Sequence, residues 1–259
     1  MRATIGILLV FAFASAPLAA QQNVDAKKLF NEGNRSLNAG NFEQAIGRYN
    51  EALKLERHEF FLYQKGIALR RARRESDAVL AFQEAVKINP SFAPAYNALG
   101  TGYSALKDYD KSIVAYDKAL ELNPKLEPAR KGLAAAQTRK AHALIDSGAY
   151  AIALLLAEKA VGNDSGMYQP WLIIARASTK LGRTDNALRA AARAMRLGKH
   201  AARAAAQYEI GLAQRDAGNA AQAREAFEAA LADPALAKSA ARELQRLDSL
   251  NTTPPATPK

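Results

Sequence analysis

The stretch that decides the fold is NFEQAIGRYNEALKLE, at residues 41–56. It recurs as RESDAVLAFQEAVKIN at residues 74–89 and as DYDKSIVAYDKALELN at residues 108–123, so successive copies begin 33 and then 34 residues apart. In each copy the apolar side chains return at intervals of three and four residues, which is typical of one face of an amphipathic helix. The sequence therefore predicts a helix that is repeated along the chain.

Each copy is preceded by a second helical stripe, and a turn joins the two helices. Before the first copy, Leu29, Gly33 and Leu37 are spaced along one helix face, and Gly40 can take the left-handed backbone conformation that closes a helix. Small residues align between repeats where paired helices should cross closely, and large aromatic residues align where the gap should widen. The aligned sets are Gly33, Gly66 and Gly100; Ala45, Ala78 and Ser112; Ala52, Ala85 and Ala119; and Tyr49, Phe82 and Tyr116.

This pattern, with Pro90 and Pro124 each ending a unit, resembles the tetratricopeptide repeat, a helix-turn-helix unit of 34 residues that builds solenoids. The resemblance implies an all-α fold: a right-handed α-solenoid of about six such units followed by a C-terminal capping helix. The low aromatic content of 7% and the many alanines fit this class better than a sheet protein.

Some positions depart from the family pattern. Arg73 and Lys107 stand where the other turns have glycine, and Ala157 and Ala191 stand where the other repeats have a large aromatic residue. We expect either a closer approach of the helices at these alanines or a softer second half of the chain.

The repeat register divides the whole chain. The predicted segments are a signal peptide at 1–20, repeat units 1–3 at 26–126, an insertion at 127–133 that continues into a long helix, units 4–6 at 134–237, a capping helix at 235–250 and a disordered tail at 251–259.

The first twenty residues have the pattern of a secretory signal. Arg2 precedes an apolar stretch at residues 5–14, and small residues lead to a cleavage site after Ala20. An uncleaved anchor is the alternative, although a span needs roughly 18 apolar residues. The chain has no cysteine, which excludes disulfides and lipid attachment to an N-terminal cysteine. We expect an exported protein, periplasmic or otherwise secreted, with no transmembrane segment in the mature chain.

Catalytic signals are weak. Cysteine nucleophiles are absent, no glycine-rich phosphate loop is present, and His58, His142 and His200 are too scattered to form a metal site or a dyad within one helix. The sequence predicts a protein that is not an enzyme and that holds no cofactor and no metal.

The resemblance instead implies binding. In such folds the first helix of each unit lines a concave groove that can hold an extended peptide or a helix. Ten side chains should face this groove by their helical phase, although a polar lining would also serve solubility alone. They are Asn34, Tyr63, Gln64, Asn97 and Thr101 in the first half, and Arg139, Arg176, Lys180, Tyr208 and Arg215 in the second.

One well-known subsite of the family is predicted to be absent. In related domains, Lys, Asn and Arg side chains clamp the C-terminal carboxylate of a chaperone. Asn34 matches one of these positions here, but Phe30, Gln64, Pro94 and Ala98 occupy the others.

The charge is uneven along the chain, and it leaves two functions open. Residues 127–203 hold 13 Lys or Arg against 5 Asp or Glu, within a chain of net charge +11. The favoured function is a non-catalytic exported scaffold, part of an envelope complex, that binds a protein or peptide, with an acidic one favoured. The alternative is a binder of an anionic polymer or membrane surface through residues 127–203. Export, and the absence of aromatic residues between the basic ones, argue against nucleic acid.

Overall fold

The computed structural model of the chain describes the backbone of residues 15–252 and the side chains of residues 20–249. Within this range every regular element is an α-helix, and no strand occurs. The helices are α1 (Ser15–Asn38), α2 (Phe42–Leu55), α3 (Glu59–Arg71), α4 (Glu75–Ile88), α5 (Ala93–Ala105), α6 (Tyr109–Leu122), α7 (Glu127–Asp146), α8 (Tyr150–Asn163), α9 (Gln169–Lys180), α10 (Thr184–Leu197), α11 (His200–Asp216), α12 (Ala220–Ala230) and α13 (Pro234–Thr252).

The described residues form two compact units, residues 15–129 (unit 1) and residues 130–252 (unit 2), and the boundary falls inside α7. In unit 1, α1 pairs with α2, α3 with α4 and α5 with α6, and each hairpin packs on the next one. In unit 2, α7 packs on α8, α9 pairs with α10 and α11 with α12, and α13 packs on α12. The prediction of an all-α protein made of repeated helical hairpins is confirmed.

In four of the hairpins a glycine lies directly against an aromatic ring of the paired helix. A Cβ atom placed on these glycines would lie only 2.4–2.7 Å from the nearest ring atom, closer than real Cβ atoms come to a neighbour. The missing side chain is therefore what allows each pair of helices to meet, as the aligned glycines predict. The pairs are Gly33 with Tyr49, Gly66 with Phe82, Gly100 with Tyr116, and Gly211 with Phe227.

The other two hairpins of unit 2 solve the same packing problem differently. At the equivalent positions α7 and α8 carry Ala141 and Ala157, and α9 and α10 carry Ala175 and Ala191. All four alanines are fully buried in one cluster. In these hairpins alanine replaces glycine on the first helix and replaces the aromatic residue on the second. The added methyl group takes part of the space that the ring would fill, so the two helices still pack against each other. Aliphatic side chains fill the rest of this core, namely Ile145, Leu154, Ile173 and Ile174.

The turns inside the hairpins share one backbone conformation. Gly40 has a φ of 81°, and Arg73 and Lys107 adopt φ values of 64° and 63° at the equivalent positions. The left-handed conformation costs a residue with a Cβ roughly 1–2 kcal/mol. The turn at Arg73 nevertheless forms the helix-closing bond from Arg74 N–H to the Leu69 carbonyl, at 2.9 Å. The hairpin geometry thus overrides the local preference of these two side chains.

The ends of the repeats can be compared with the predicted segments. The predicted insertion and the residues after it form one continuous helix, α7, of 20 residues. The predicted capping helix corresponds to α13, whose Ala240 and Leu247 are buried with Phe227 of α12. It ends at Thr252, so Asn251 and Thr252 are helical rather than part of a tail.

Parts of two other predicted segments fall outside the described residues. These are residues 253–259 of the predicted tail and residues 1–14 of the predicted signal peptide. From Ser15 onward α1 runs through the predicted cleavage position at Ala20 without a break. None of the helices within residues 15–252 combines the length and the hydropathy that crossing a membrane requires.

A pair of matched substitutions tests the glycine–ring contact. Gly66→Ala should lower the free energy of unfolding by about 1–3 kcal/mol, because its Cβ would lie 2.4 Å from the Phe82 ring and force the helices apart. Gly47→Ala is the control, since this glycine is exposed on α2 and nothing lies within 4 Å of its Cβ. The control should raise stability by up to about 1 kcal/mol through helix propensity. Urea denaturation measures both, and equal stability of the two variants would show that the contact does not limit the packing.

Candidate functional site

Two of the five predicted groove residues of unit 1, Asn34 and Thr101, are engaged by the fold itself. The Asn34 side-chain oxygen accepts a hydrogen bond from the Tyr49 hydroxyl at 2.7 Å, and the Thr101 hydroxyl lies 3.0 Å from that of Tyr116. Both tyrosines are buried core residues. Asn34 and Thr101 therefore serve as hydrogen-bond partners for phenolic hydroxyls of the core.

The sequence indicates which residues bond to a tyrosine hydroxyl of the paired helix, although the prediction of groove residues did not use this pattern. The residue that follows the crossing glycine lies 15 positions before the aromatic residue in each of these hairpins. It is polar before a tyrosine, as at Asn34 and Thr101, and apolar before a phenylalanine, as Ile67 is before Phe82. Leu212 before Phe227 follows the same rule.

The other predicted residues of unit 1 differ in their surroundings. The Tyr63 ring packs at 5.3 Å from the Phe92 ring and 5.8 Å from the Phe82 ring, and burial raises the pKa of its hydroxyl. Gln64 on α3 and Asn97 on α5 are half-buried, and their side chains make no hydrogen bond within the described part of the chain. Of the five predicted groove residues of unit 1, Gln64 and Asn97 are therefore the two that the described chain leaves available for a partner.

A concavity of about 520 Å³ in unit 1 lies elsewhere, between α2, α3 and α4. Ile46, Leu62 and the 60% exposed Leu80 contribute to its lining, and Glu43 and Asp77 contribute charge. None of the predicted groove residues lines this space.

In unit 2, by contrast, four of the five predicted residues come together around a cleft of about 370 Å³. Arg139 is the exception, because it is exposed on α7 and does not line this space. We call this space the unit 2 cleft. Its lining residues are Ile145, Asp146, Tyr150, Arg176, Lys180, Tyr208, Leu212, Arg215, Glu243 and Arg246.

The helical spacing of the lining residues explains why they converge. Arg176 and Lys180 are four residues apart on α9, and Tyr208 and Arg215 are seven apart on α11, so each pair projects from one face. Because α9 packs on α11 and α11 packs on α13, these faces meet. The first helices of two hairpins and the last helix thus build one polar surface.

Ion pairs neutralise most of the charge in the unit 2 cleft. Arg215 pairs with Asp216 and Glu243, and the Arg246 guanidinium donates to Glu243 at 2.8 Å. Arg176 pairs with Glu209. Lys180 is exposed and makes no ion pair with any residue that the structure describes. The unit 2 cleft therefore presents one ammonium group that has no carboxylate partner in the described chain.

Glu209 lies behind the lining and holds Arg176 in place. Its side chain is only 5% exposed, and Oε1 accepts a hydrogen bond from the Arg176 guanidinium. Oε2 is buried and has no hydrogen-bond partner among the described residues. Burial raises the pKa of this carboxyl, and the opposing charges of Arg176 and Lys180 offset the effect only in part.

Glu209 and Glu243 were not among the predicted groove residues, although the repeat spacing weakly indicates the role of Glu209. Glu209 follows Arg176 by 33 residues, which is one repeat period, so the two occupy nearly equivalent positions on successive first helices. Opposite charges at such a spacing indicate a bridge between neighbouring repeats.

Tyr208 combines packing with a polar group. Its ring lies 5.6 Å from the Phe227 ring, and burial together with the negative charge of Glu243 raises the pKa of its hydroxyl. The hydroxyl therefore stays protonated at neutral pH and can donate a hydrogen bond into the unit 2 cleft.

The arrangement can bind charged groups, and it shows no catalytic constellation. No group of three or more His, Asp or Glu side chains within the described residues could hold a metal ion. The available chemistry consists of an exposed ammonium group, three guanidinium groups, two phenols and two carboxylates on one surface. This set suits carboxylates better than it suits proton transfer or nucleophilic attack.

The raised pKa of Glu209 gives a test of this geometry. The folded state binds more protons than the unfolded state above about pH 4.5, so the free energy of unfolding should fall as the pH rises through the folded pKa of Glu209. Glu209→Gln keeps the acceptor for Arg176 and removes this dependence, so the variant should gain stability relative to the wild type as the pH rises. Urea denaturation across that range measures the difference.

Glu225→Gln is the control for this experiment, because Glu225 is an exposed carboxylate on α12 in the same unit. It changes the net charge equally without touching Glu209. Parallel stability profiles for the two variants would contradict the assignment of a raised pKa to Glu209.

The comparison with known families matches the first part of the chain. Residues 30–93 and residues 93–126 match two models that are both described as tetratricopeptide repeat. The Hsp70-Hsp90 organizing protein of Triticum aestivum is 34% identical over 78 residues, which are 30% of this chain and 13% of that protein. The chain thus spans only a small part of the length of this curated relative.

Solved structures extend the likeness of the fold beyond these residues. YrrB, described as a TPR protein with an unusual peptide-binding site, matches with a TM-score of 0.56 and 19% identity over 75% of this chain and 97% of that one. The MamA protein matches with a TM-score of 0.54 and 21% identity over 67% of this chain and 91% of that one. At these identities the likeness shows that this chain shares their helical-repeat fold.

Proposed function

We propose, from the premise that residues 30–126 belong to the tetratricopeptide-repeat family, that this chain is a non-catalytic scaffold that binds an acidic protein or peptide segment in the unit 2 cleft. The observation that carries the proposal is the convergence of Arg176, Lys180, Tyr208 and Arg215 on one concave surface. The description of YrrB as a protein with a peptide-binding site agrees with this class of ligand.

The size and chemistry of the unit 2 cleft favour an acidic ligand. A space of about 370 Å³ admits a few side chains of an extended peptide rather than a folded domain. Lys180 offers an ammonium group that forms no ion pair with any described residue. Arg215 is only 20% exposed and is held by its ion pair with Glu243. A carboxylate of the ligand can pair with Lys180 without first breaking an internal ion pair.

Two flanking features would help to orient such a ligand. Ile145 and Leu212 supply apolar contact, and the Tyr208 hydroxyl can donate a hydrogen bond to a carboxylate or a main-chain carbonyl. Glu243 and Asp146 add carboxylates to the same surface, and Glu243 is already paired with Arg215 and Arg246. The favoured ligand therefore carries a carboxylate next to an apolar residue.

Export forms the second part of the proposal. The N-terminal pattern of Arg2, an apolar stretch at residues 5–14 and small residues up to Ala20 supports a signal peptide. The absence of cysteine fits a protein whose stability in an oxidising compartment depends on helix packing alone. We therefore place the scaffold in an envelope complex, periplasmic or otherwise secreted.

Peptide selection tests the binding part. A phage-displayed random peptide library, selected on the immobilised full chain, should enrich sequences in which Asp or Glu lies beside an apolar residue. Lys180→Glu should weaken the selected peptides by about tenfold or more, because it places a like charge opposite the ligand. Fluorescence anisotropy with one labelled selected peptide measures the dissociation constants.

The control is Lys131→Glu, which makes the same change of charge on an exposed lysine of α7. Lys131 precedes Ile145 by 14 residues, so it lies about 20 Å along the helix from the unit 2 cleft. Equal affinities for the Lys180→Glu and Lys131→Glu variants, or a selection without acidic enrichment, would remove the unit 2 cleft as the binding site.

N-terminal sequencing tests the export part separately. The full coding sequence, expressed in a bacterium and fractionated into cytoplasm and periplasm, should give a periplasmic protein that begins at Gln21. A chain that stays in the cytoplasm with Met1 or Arg2 at its start would overturn export and leave the binding result unaffected.

A further inference from the structure

The outer face of α10 carries three arginines, of which Arg189 and Arg196 are exposed and Arg193 is half-buried. Arg189, Arg193 and Arg196 follow each other at intervals of four and three residues and therefore project from one side of the helix. Within the described residues none of them forms an ion pair, although Asp185 lies one turn before Arg189. Seven other arginines do form such pairs, namely Arg48, Arg57, Arg74, Arg176, Arg215, Arg224 and Arg246.

The helix before it in the same layer adds apolar and basic side chains. On α8, Leu155 and Lys159 lie 34 residues before Arg189 and Arg193, and α8 and α10 both pack on α9. These residues thus occupy equivalent outer positions on successive second helices. Ile152 and Leu155 are three residues apart on one face and are 59% and 56% exposed.

We propose that this surface docks on a bilayer that contains anionic phospholipids. We define it as the basic outer face: Ile152, Leu155, Lys159, Arg189, Arg193 and Arg196. The guanidinium groups contact lipid phosphates, which they match in geometry, and the two aliphatic side chains enter the interface between head groups and acyl chains. A bilayer interface can accommodate both exposed aliphatic side chains and unpaired arginines, which water alone does not stabilise.

The composition of the basic outer face favours lipid over the other polyanions. Binding of single-stranded nucleic acid uses aromatic side chains as stacking platforms, and the six residues include none. A purely electrostatic polymer would gain nothing from Ile152 and Leu155. The unit 2 cleft lies on α9, α11 and α13, together with the ends of α7 and α8, so this inference does not depend on peptide binding there.

Vesicle co-sedimentation of the full chain tests the electrostatic part. The probes are vesicles of phosphatidylcholine alone and of phosphatidylcholine mixed with phosphatidylglycerol, and the readout is the ratio of the two partition coefficients. This ratio should fall by about tenfold or more in the Arg189→Gln/Arg196→Gln variant, because two cations near the anionic surface are lost. Residues 5–14 are present in all variants, so a difference in this ratio between variants does not arise from them.

Arg35→Gln/Arg71→Gln is the matched control, since both arginines are exposed in unit 1. It should leave the ratio within about twofold of the wild-type value, because removing two charges outside the basic outer face has only a small, screened effect. An equal fall for both double variants would overturn the proposal. So would loss of heparin binding by Arg189→Gln/Arg196→Gln with unchanged vesicle binding, because the face would then recognise a polymer.

A second pair of variants tests the apolar part. Ile152→Ser/Leu155→Ser should lose most of the binding to the anionic vesicles that persists at high salt, where the electrostatic attraction is screened. Leu80→Ser/Val114→Ser is the control, because these residues are 60% and 68% exposed on second helices of unit 1. Circular dichroism verifies that all variants keep their helical content. Equal salt-resistant binding by the two serine variants would show that Ile152 and Leu155 do not enter the bilayer.

Discussion

The contact between a glycine of one helix and an aromatic ring of the next is the constraint on which the hairpins of this chain depend. At Gly66 there is no room for even a methyl group beneath the Phe82 ring. This contact fixes the distance between the two helices and the height at which they cross, and it thereby sets which residues of the first helix face outward. Where Ala175 and Ala191 replace such a pair, both alanines remain fully buried, so the geometry survives with the volume shared differently.

Much of this could be predicted from the sequence because the constraint recurs in register. The spacing of Gly33, Gly66 and Gly100 is visible without any structure, and it predicts both the helices and their crossing points. The roles of Asn34 and Thr101 were harder to predict, because a half-exposed polar residue on a first helix suits a ligand and a buried tyrosine hydroxyl equally well. Only the three-dimensional position of that hydroxyl decides between them.

At the candidate site too, the sequence predicts which side of a helix a residue lies on but not which residues of other helices it contacts. Helical phase alone placed Arg176, Lys180, Tyr208 and Arg215 on inward faces, and the structure brings these four together. The helical phase of a residue does not show whether a basic side chain is already paired, because its partner can lie on another helix, as Glu209 does for Arg176. As a result Lys180 and Arg176 look equivalent in sequence, while in the fold one is free to meet a ligand and the other is a bridge between repeats.

The hairpin of α9 and α10 carries two kinds of basic residue. One kind is paired with a carboxylate and stabilises the fold, and the other is unpaired and is available for a partner. On α9, Arg176 pairs with a buried carboxylate, so its charge contributes to the fold. On α10, Arg189 and Arg193 are like charges four residues apart, which destabilises an isolated helix by a few tenths of a kcal/mol. Neither arginine forms an ion pair with a described carboxylate, although Asp185 lies one turn before Arg189. A face whose charges oppose folding can gain from them in contact with an anionic surface, and the exposed Ile152 and Leu155 on α8 favour a bilayer over a soluble polymer.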